Sequence, residues 1–240
     1  MGINLARPPL LSAFGARKRK TERLYRLIEN FGKCLEDYNE LTGVKKDRDI
    51  AYWYGERTLT GLLAGAVWRM RENRWALEEF ISERQIRKKK KRGRGDLWFG
   101  LTAKEEYTVE SKLYEPDTKI VWASDRLVRQ TQKRLDKAFG QLSELKKRYR
   151  VGRPLAVSFL VPYIWKAWYP SYQAGKIFRQ IAHSKQWKRS DTVVGSFWYS
   201  NGALSYLDKT SKPGIFYFAP GVIVVMQSMQ VFPASRKNRS

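Results

Sequence analysis

An α/β fold is the class this sequence predicts, and three observations predict it. Three stretches carry apolar residues at helical spacing, several intervening runs are rich in aromatic and β-branched residues, and the elements follow the order helix, strand, strand, strand, helix, strand. The first helix is read from Leu24, Leu27, Ile28, Phe31, Leu35 and Tyr38, which line one face, and it ends near Thr42 and Gly43. Residues 1–20 before it read as an arm, with a Pro-Pro pair and a basic cluster from Arg17 to Lys20. The second helix is read from Leu59, Leu62, Leu63, Ala66, Val67 and Met70. Helical periodicity then decays, and Trp75, Leu77 and Phe80 permit a strand.

Two strands follow, Gly95 to Leu101 and Tyr107 to Tyr114, joined through Thr102 to Glu106. A long helix is read from Ile120, Val121, Leu127, Val128, Leu135, Phe139, Leu142 and Leu145, and a buried strand from Pro154 to Ile164, interrupted by Pro162. Residues 165–190 mix aromatic and basic residues and carry no readable period. Late strands are expected over Thr192 to Tyr199, Gly214 to Ala219 and Val222 to Gln230, before a basic tail. The chain therefore divides into an N-terminal arm and helix (1–45), a central core (46–165) and a C-terminal extension (166–240).

The composition narrows the function. Among 240 residues, 47 Lys and Arg face 23 acids, a formal charge of +24, yet 42% of residues are hydrophobic and nine are Trp. This describes a folded protein with a strong positive field, expected to meet a polyanion, and not a disordered basic tail. No apolar run reaches the roughly 18–20 residues of a membrane helix, and no charged segment precedes the apolar patch at Pro9 to Phe14, as a secretory signal would require. A cytoplasmic protein is expected, associated with the nucleoid in a bacterium or nuclear in a eukaryote. The single cysteine, Cys34, excludes a disulfide framework and a cysteine zinc site, and the single histidine, His183, excludes most histidine-centred chemistry.

The acids that remain form a pattern. Asp96 opens one strand after the turn Gly93-Arg94-Gly95, and Glu110 and Lys112 lie two residues apart on the next. Side chains alternate along a strand, so Glu110 and Lys112 share a face while Tyr107, Val109 and Leu113 take the other and can pack on a helix. A hairpin would bring Asp96 alongside Glu110. Two carboxylates so placed are hard oxygen ligands for Mg²⁺, and an adjacent lysine can orient or help deprotonate the attacking water, or stabilise the phosphorane-like transition state.

Asp96, thirteen intervening residues and then Glu110-Ser111-Lys112 resemble the signature of the PD-(D/E)xK superfamily of restriction endonuclease-like nucleases. The resemblance covers roughly residues 52–164, with Arg94-Gly95-Asp96 in place of the prolyl-aspartate that names the motif. It implies a restriction endonuclease-like α-β-β-β-α-β core with helical N-terminal and β-rich C-terminal additions. It also implies hydrolysis of phosphodiester bonds by Mg²⁺- or Mn²⁺-activated water, with DNA expected ahead of RNA as substrate. Asp96 and Glu110 would hold the metal and Lys112 would position the water. The superfamily often adds an acid from the preceding helix, and Glu56 suits that role because it continues the apolar stripe of Leu59, Leu63 and Val67. A first-turn glutamate favoured by the helix dipole is the plainer explanation of the same residue. Glu78 and Glu79 are rivals for the acid, with edge-strand surface positions as their ordinary reading.

The basic residues have two concentrations. Lys88, Lys89, Lys90, Lys91, Arg92 and Arg94 stand just before Asp96, where they read as a solvated, phosphate-gripping loop at the mouth of the site. Lys146, Lys147 and Arg148 follow the long helix. Tyr163, Trp165, Trp168, Tyr169 and Tyr172, interleaved with Lys166 and Lys176, could stack unpaired bases, although a structural role is the commoner fate of such residues. Cys34 falls on the apolar side of the first helix and reads as a buried, inert thiol. Gln130 and Gln132 on the long helix, and His183, receive no role. A non-catalytic nucleic-acid-binding subunit of a larger complex is the alternative from another class. A third reading is a nuclease fold serving a mobile-element, phage or defence machine whose partners gate cleavage; a homodimer is a further partner expectation.

Overall fold

The computed structural model describes residues 10–14, 18–42, 55–70, 74–86, 89–116, 124–145, 152–162, 164–165, 171–189, 191–198, 205–207, 216–218 and 221–229. The chain runs β1 (Leu10–Phe14), α1 (Lys18–Thr42), α2 (Glu56–Trp68), β2 (Trp75–Glu78), β3 (Ile81–Ile86), β4 (Lys89–Arg94), β5 (Leu97–Thr102) and β6 (Glu105–Tyr114). It continues through α3 (Ser124–Glu144), β7 (Arg153–Leu160), β8 (Ile164–Trp165), α4 (Ser171–Ala182), a 3-10 turn at Lys185–Arg189, β9 (Asp191–Trp198), β10 (Ser205–Leu207), β11 (Phe216–Phe218) and β12 (Gly221–Ser228). The class is mixed α/β.

Seven strands form the main sheet in the order β1-β9-β12-β7-β6-β5-β2. Only β6 and β7 pair in parallel; every other neighbouring pair is antiparallel. A parallel pair needs a long crossover, and α3 supplies it. Counted along the chain, α2, β2, β5, β6, α3 and β7 give helix, strand, strand, strand, helix, strand, with the β3–β4 hairpin inserted after the first strand.

Helices cover both faces of this sheet, so its central strands read as near-continuous apolar runs. Leu27, Phe31 and Leu35 of α1, with Leu59, Leu63 and Val67 of α2, pack against Phe99, Val109, Val157, Phe159 and Val224. The opposite core joins Leu127, Val128, Leu135 and Phe139 of α3 and Phe178 and Ile181 of α4 to Ala156, Leu160, Val194, Ile223 and Val225. Alternation along β7 thus sends Leu155, Val157 and Phe159 one way and Ala156 and Leu160 the other. Each such side chain, removed fully from water, contributes roughly 1.5–3 kcal/mol. Cys34 lies inside the first core, where burial raises its thiol pKa.

Several expectations need correction. Residues 10–14 are not part of a free arm: they form β1, paired residue for residue with β9 from Leu10↔Ser196 to Phe14↔Thr192. Nor are the late strands an appendage, because β9 and β12 lie between β1 and β7 in the same sheet as the central strands. The basic run before Asp96, expected as a solvated loop, is in its described part strand β4, hydrogen-bonded to β3 from Ile81↔Arg94 to Ile86↔Lys89. The unassigned stretch after 165 contains α4, whose Phe178, Ile181 and Ala182 are buried.

Candidate active site

The site lies where β5 leaves β6. Their pairing runs from Thr102↔Glu105 down to Leu97↔Val109 and stops there, while β6 continues to Tyr114 alongside β7. Beyond Val109, the β6 amides that would face β5 need other acceptors, since an unpaired inner amide is costly. Two carboxylates accept them. The Ser111 N–H donates to Asp96 Oδ2 at 2.7 Å, and the Leu113 N–H donates to Glu56 Oε2 at 2.7 Å. Asp96 Oδ2 takes a second bond, from the Ser111 hydroxyl at 3.1 Å. Strand divergence therefore fixes both acids beside the Glu-x-Lys segment.

Glu56 is the first residue of α2, entered through Gly55 at φ 87°, a left-handed conformation that suits glycine. Glu56 occupies the first turn of α2 and its carboxylate turns toward β6. One turn later, the Thr60 hydroxyl lies 2.8 Å from the Glu56 carbonyl and 3.0 Å from the Ser111 hydroxyl, joining helix to strand.

Lys112 draws the acids together. Its Nζ lies 3.7 Å from Glu56 Oε1, 3.8 Å from Glu110 Oε2 and 4.0 Å from Asp96 Oδ2, and it donates to the Ser111 carbonyl. Glu110 is buried and the Lys112 side chain only 14% exposed, whereas Asp96 and Glu56 open toward solvent at 27% and 35%. Three carboxylates around one ammonium leave a local formal charge of −2 in a chain of +24. All four residues named from the sequence are brought together.

A cleft of about 270 Å³ opens beside Glu56 and Asp96, and Arg57, Thr60, Glu78, Glu79, Arg94 and Ser111 complete its lining. Its rim is a second charge system: Glu79 pairs with Arg57 at 3.1 Å and Arg94 at 2.5 Å. Glu79 has φ 48°, unusual for a residue with a Cβ, and its N–H donates to the Asp96 carbonyl at 3.0 Å. Glu78 and Glu79 thus line the cleft without touching Lys112 in any described contact. Sequence reasoning did not find Thr60, Ser111 or Arg57. The Thr60-to-Ser111 contact spans 51 positions, and only the packing of α2 on β6 reveals it.

The donor set fits a hard divalent cation. Glu56, Asp96, Glu110 and the Ser111 carbonyl are all oxygen donors, and each already lies near one cationic atom, the Lys112 Nζ. Among the described residues no three acidic, His or Cys side chains stand at direct metal-ligand spacing. Of the basic residues expected to grip phosphate, Arg94 reaches the cleft rim and Lys89, Lys90, Lys91 and Arg92 belong to β4. Lys88, Lys146, Lys147 and Arg148 lie outside the described residues, as do Tyr163, Trp168 and Tyr169. Gln132 exchanges amide hydrogen bonds with Gln227 of β12 at 3.0 and 2.9 Å, which ties α3 to the sheet. Among the described residues no helix is long and apolar enough to cross a membrane. No protein-family model, curated protein or solved structure matches this chain.

Proposed function

We propose that the chain is a divalent-cation-dependent nuclease that hydrolyses phosphodiester bonds in DNA. One observation carries the reading: Glu56, Asp96 and Glu110 converge within 4.0 Å of the Lys112 ammonium, and Glu56 and Asp96 open into a cleft that Arg57 and Arg94 also line. The element order around that cleft, α2-β2-β5-β6-α3-β7, is the order expected of a restriction endonuclease-like core, and it adds support. Asp96 and Glu110 would hold Mg²⁺ or Mn²⁺, with Glu56 as the third acid. Such an ion supplies a Lewis acid for the phosphoryl oxygens and lowers the pKa of water.

The chain's own residues do the rest. Arg57 and Arg94 line the entrance, each paired with Glu79, and would exchange that carboxylate for a phosphate of the incoming backbone. Ser111 and Thr60 hold Asp96 and α2 in register with β6, so the carboxylates are preorganised before substrate arrives. Lys112 donates hydrogen bonds from an ammonium and accepts none, which suits it to orient the attacking water's surroundings and to meet the charge that builds on the phosphate. The expected product carries a 5′-phosphate.

The test is incubation of the full chain with duplex DNA, single-stranded DNA and RNA, each with Mg²⁺ and with EDTA. Cleavage is expected with the metal and absent in EDTA. Asp96→Ala and Lys112→Ala should each abolish cutting while leaving affinity for DNA within about threefold. Variants that cut as well as the parent would overturn the assignment, and DNA binding without metal-dependent cleavage would favour a non-catalytic binding subunit.

A further inference from the structure

The β3–β4 hairpin is set apart from the main sheet, with β3 approaching α3. It is inserted in the chain between β2 and β5, which pair directly with each other, and forms a separate two-stranded antiparallel sheet. Residues 81–94 carry eight Lys and Arg against one acid, Glu83, so this segment alone accounts for +7 of the chain's +24. The register sets Glu83 opposite Arg92, Arg84 opposite Lys91, Gln85 opposite Lys90 and Ile86 opposite Lys89.

Its base is tied to the cleft. The Gly95 N–H donates to the Phe80 carbonyl at 2.9 Å, closing the hairpin one residue before Asp96. The Glu79 N–H donates to Asp96 itself, and Arg94, the last residue of β4, ion-pairs with Glu79 on the rim. A ligand held by the ribbon is therefore in register with the carboxylates.

We infer that this ribbon enters the major groove of B-form duplex DNA and delivers one strand to the cleft; the inference rests on the nuclease reading and names its substrate as duplex. The dimensions agree. Strands of six residues at ~3.4 Å each extend about 20 Å, the length of roughly six base pairs at ~3.4 Å per step. A two-stranded ribbon fits a major groove ~12 Å wide, whereas the major groove of A-form RNA is too deep and narrow for protein elements to read. The ribbon is a groove-sized positive rod with one end fixed beside the acids.

The experiment measures binding in EDTA, where cleavage plays no part, by fluorescence anisotropy over a range of salt. The probes are a 24-base-pair DNA duplex, an RNA duplex of the same sequence and the single DNA strand. The parent should bind the DNA duplex at least tenfold more tightly than either other probe. Combined Lys89→Gln, Lys90→Gln, Lys91→Gln and Arg92→Gln substitution should weaken duplex binding about 10- to 100-fold. It should also reduce the slope of log K against log salt by about 2–4, near 0.9 per lost phosphate contact. Lys90→Gln alone, with an unchanged melting temperature, should reduce the slope by about 1 and guards against a folding defect in the fourfold variant. Equal affinity for duplex DNA and duplex RNA, or an unchanged duplex slope in a folded variant, would overturn the inference. Loss of cleavage with intact duplex preference would instead count against the nuclease reading alone.

Discussion

Replacing Lys112 by Met should destabilise the protein and make the variant depend on divalent metal for its stability. At 3.7–4.0 Å from three carboxylate oxygens, each contact is worth about 4 kcal/mol at an effective dielectric of ~20. That gross attraction shrinks on two counts. The ammonium is itself largely withdrawn from water, and Asp96 and Glu56 are partly exposed and screened. A net loss of about 3 kcal/mol remains, which for a chain of this size lowers the melting temperature by about 6–12 °C. Without the ammonium the three acids repel one another, and a divalent ion between them supplies a replacement counter-charge. At 100 times its Kd such an ion restores about 2.7 kcal/mol. Thermal melts of parent and Lys112→Met, each in EDTA and in millimolar Mn²⁺, read both effects. The variant should melt lower in EDTA and gain more than the parent from Mn²⁺. An unchanged melting temperature, or an equal metal shift in both proteins, would refute the reasoning.

Two further predictions concern neighbours of the site and the far end of β6. The Phe80 ring lies against Gly95, where a Cβ has no room, so Gly95→Ala should displace the hairpin base and cut the cleavage rate at least tenfold, with duplex affinity reduced less; parental kinetics would rule this out. Tyr107 donates to Glu105 Oε1 at 2.6 Å, and burial, then Glu105, raise its pKa above the ordinary 10.0. The raised value means its contribution to stability is complete below about pH 10 and is lost as pH climbs toward the folded-state value. The gap in melting temperature between parent and Tyr107→Phe should therefore narrow between pH 9 and 11, and a constant gap would contradict it.

The legible parts of this molecule were those where one local rule governs. Periodicity located α1, α2 and α3 because each buries a single stripe: Leu59, Leu63 and Val67 are wholly buried, while Arg57 and Trp68 remain exposed. Alternation along β6 placed Tyr107 and Val109 in the α1–α2 core, away from Glu110 and Lys112. What escaped depended on partners distant in sequence. Leu10 to Phe14 is too short to announce a strand without β9 beside it. The run of lysines in β4 has no apolar face to bury, and β3 pairing alone makes it a strand. In α4 the buried Phe178 and Ile181 are masked by interspersed basic and aromatic residues. The roles of Ser111 and Leu113 as backbone donors to the acids were invisible for another reason: they follow from where β5 ends.

The order of the main sheet also bears on how the molecule comes to exist. The strand nearest the N-terminus closes on β9, more than 170 positions later, and β12 slots between β9 and β7. Until β12 is in place, β7 and β9 each present an open hydrogen-bonding edge rich in Val, Leu and Phe, the kind of surface that recruits other strands. Pairings so distant in sequence are slow to form, so a nascent or truncated chain ending before Gly221 carries Glu56, Asp96, Glu110 and Lys112 on an unfinished sheet. Such fragments should accumulate as aggregates, and the final strand acts as the latch on solubility.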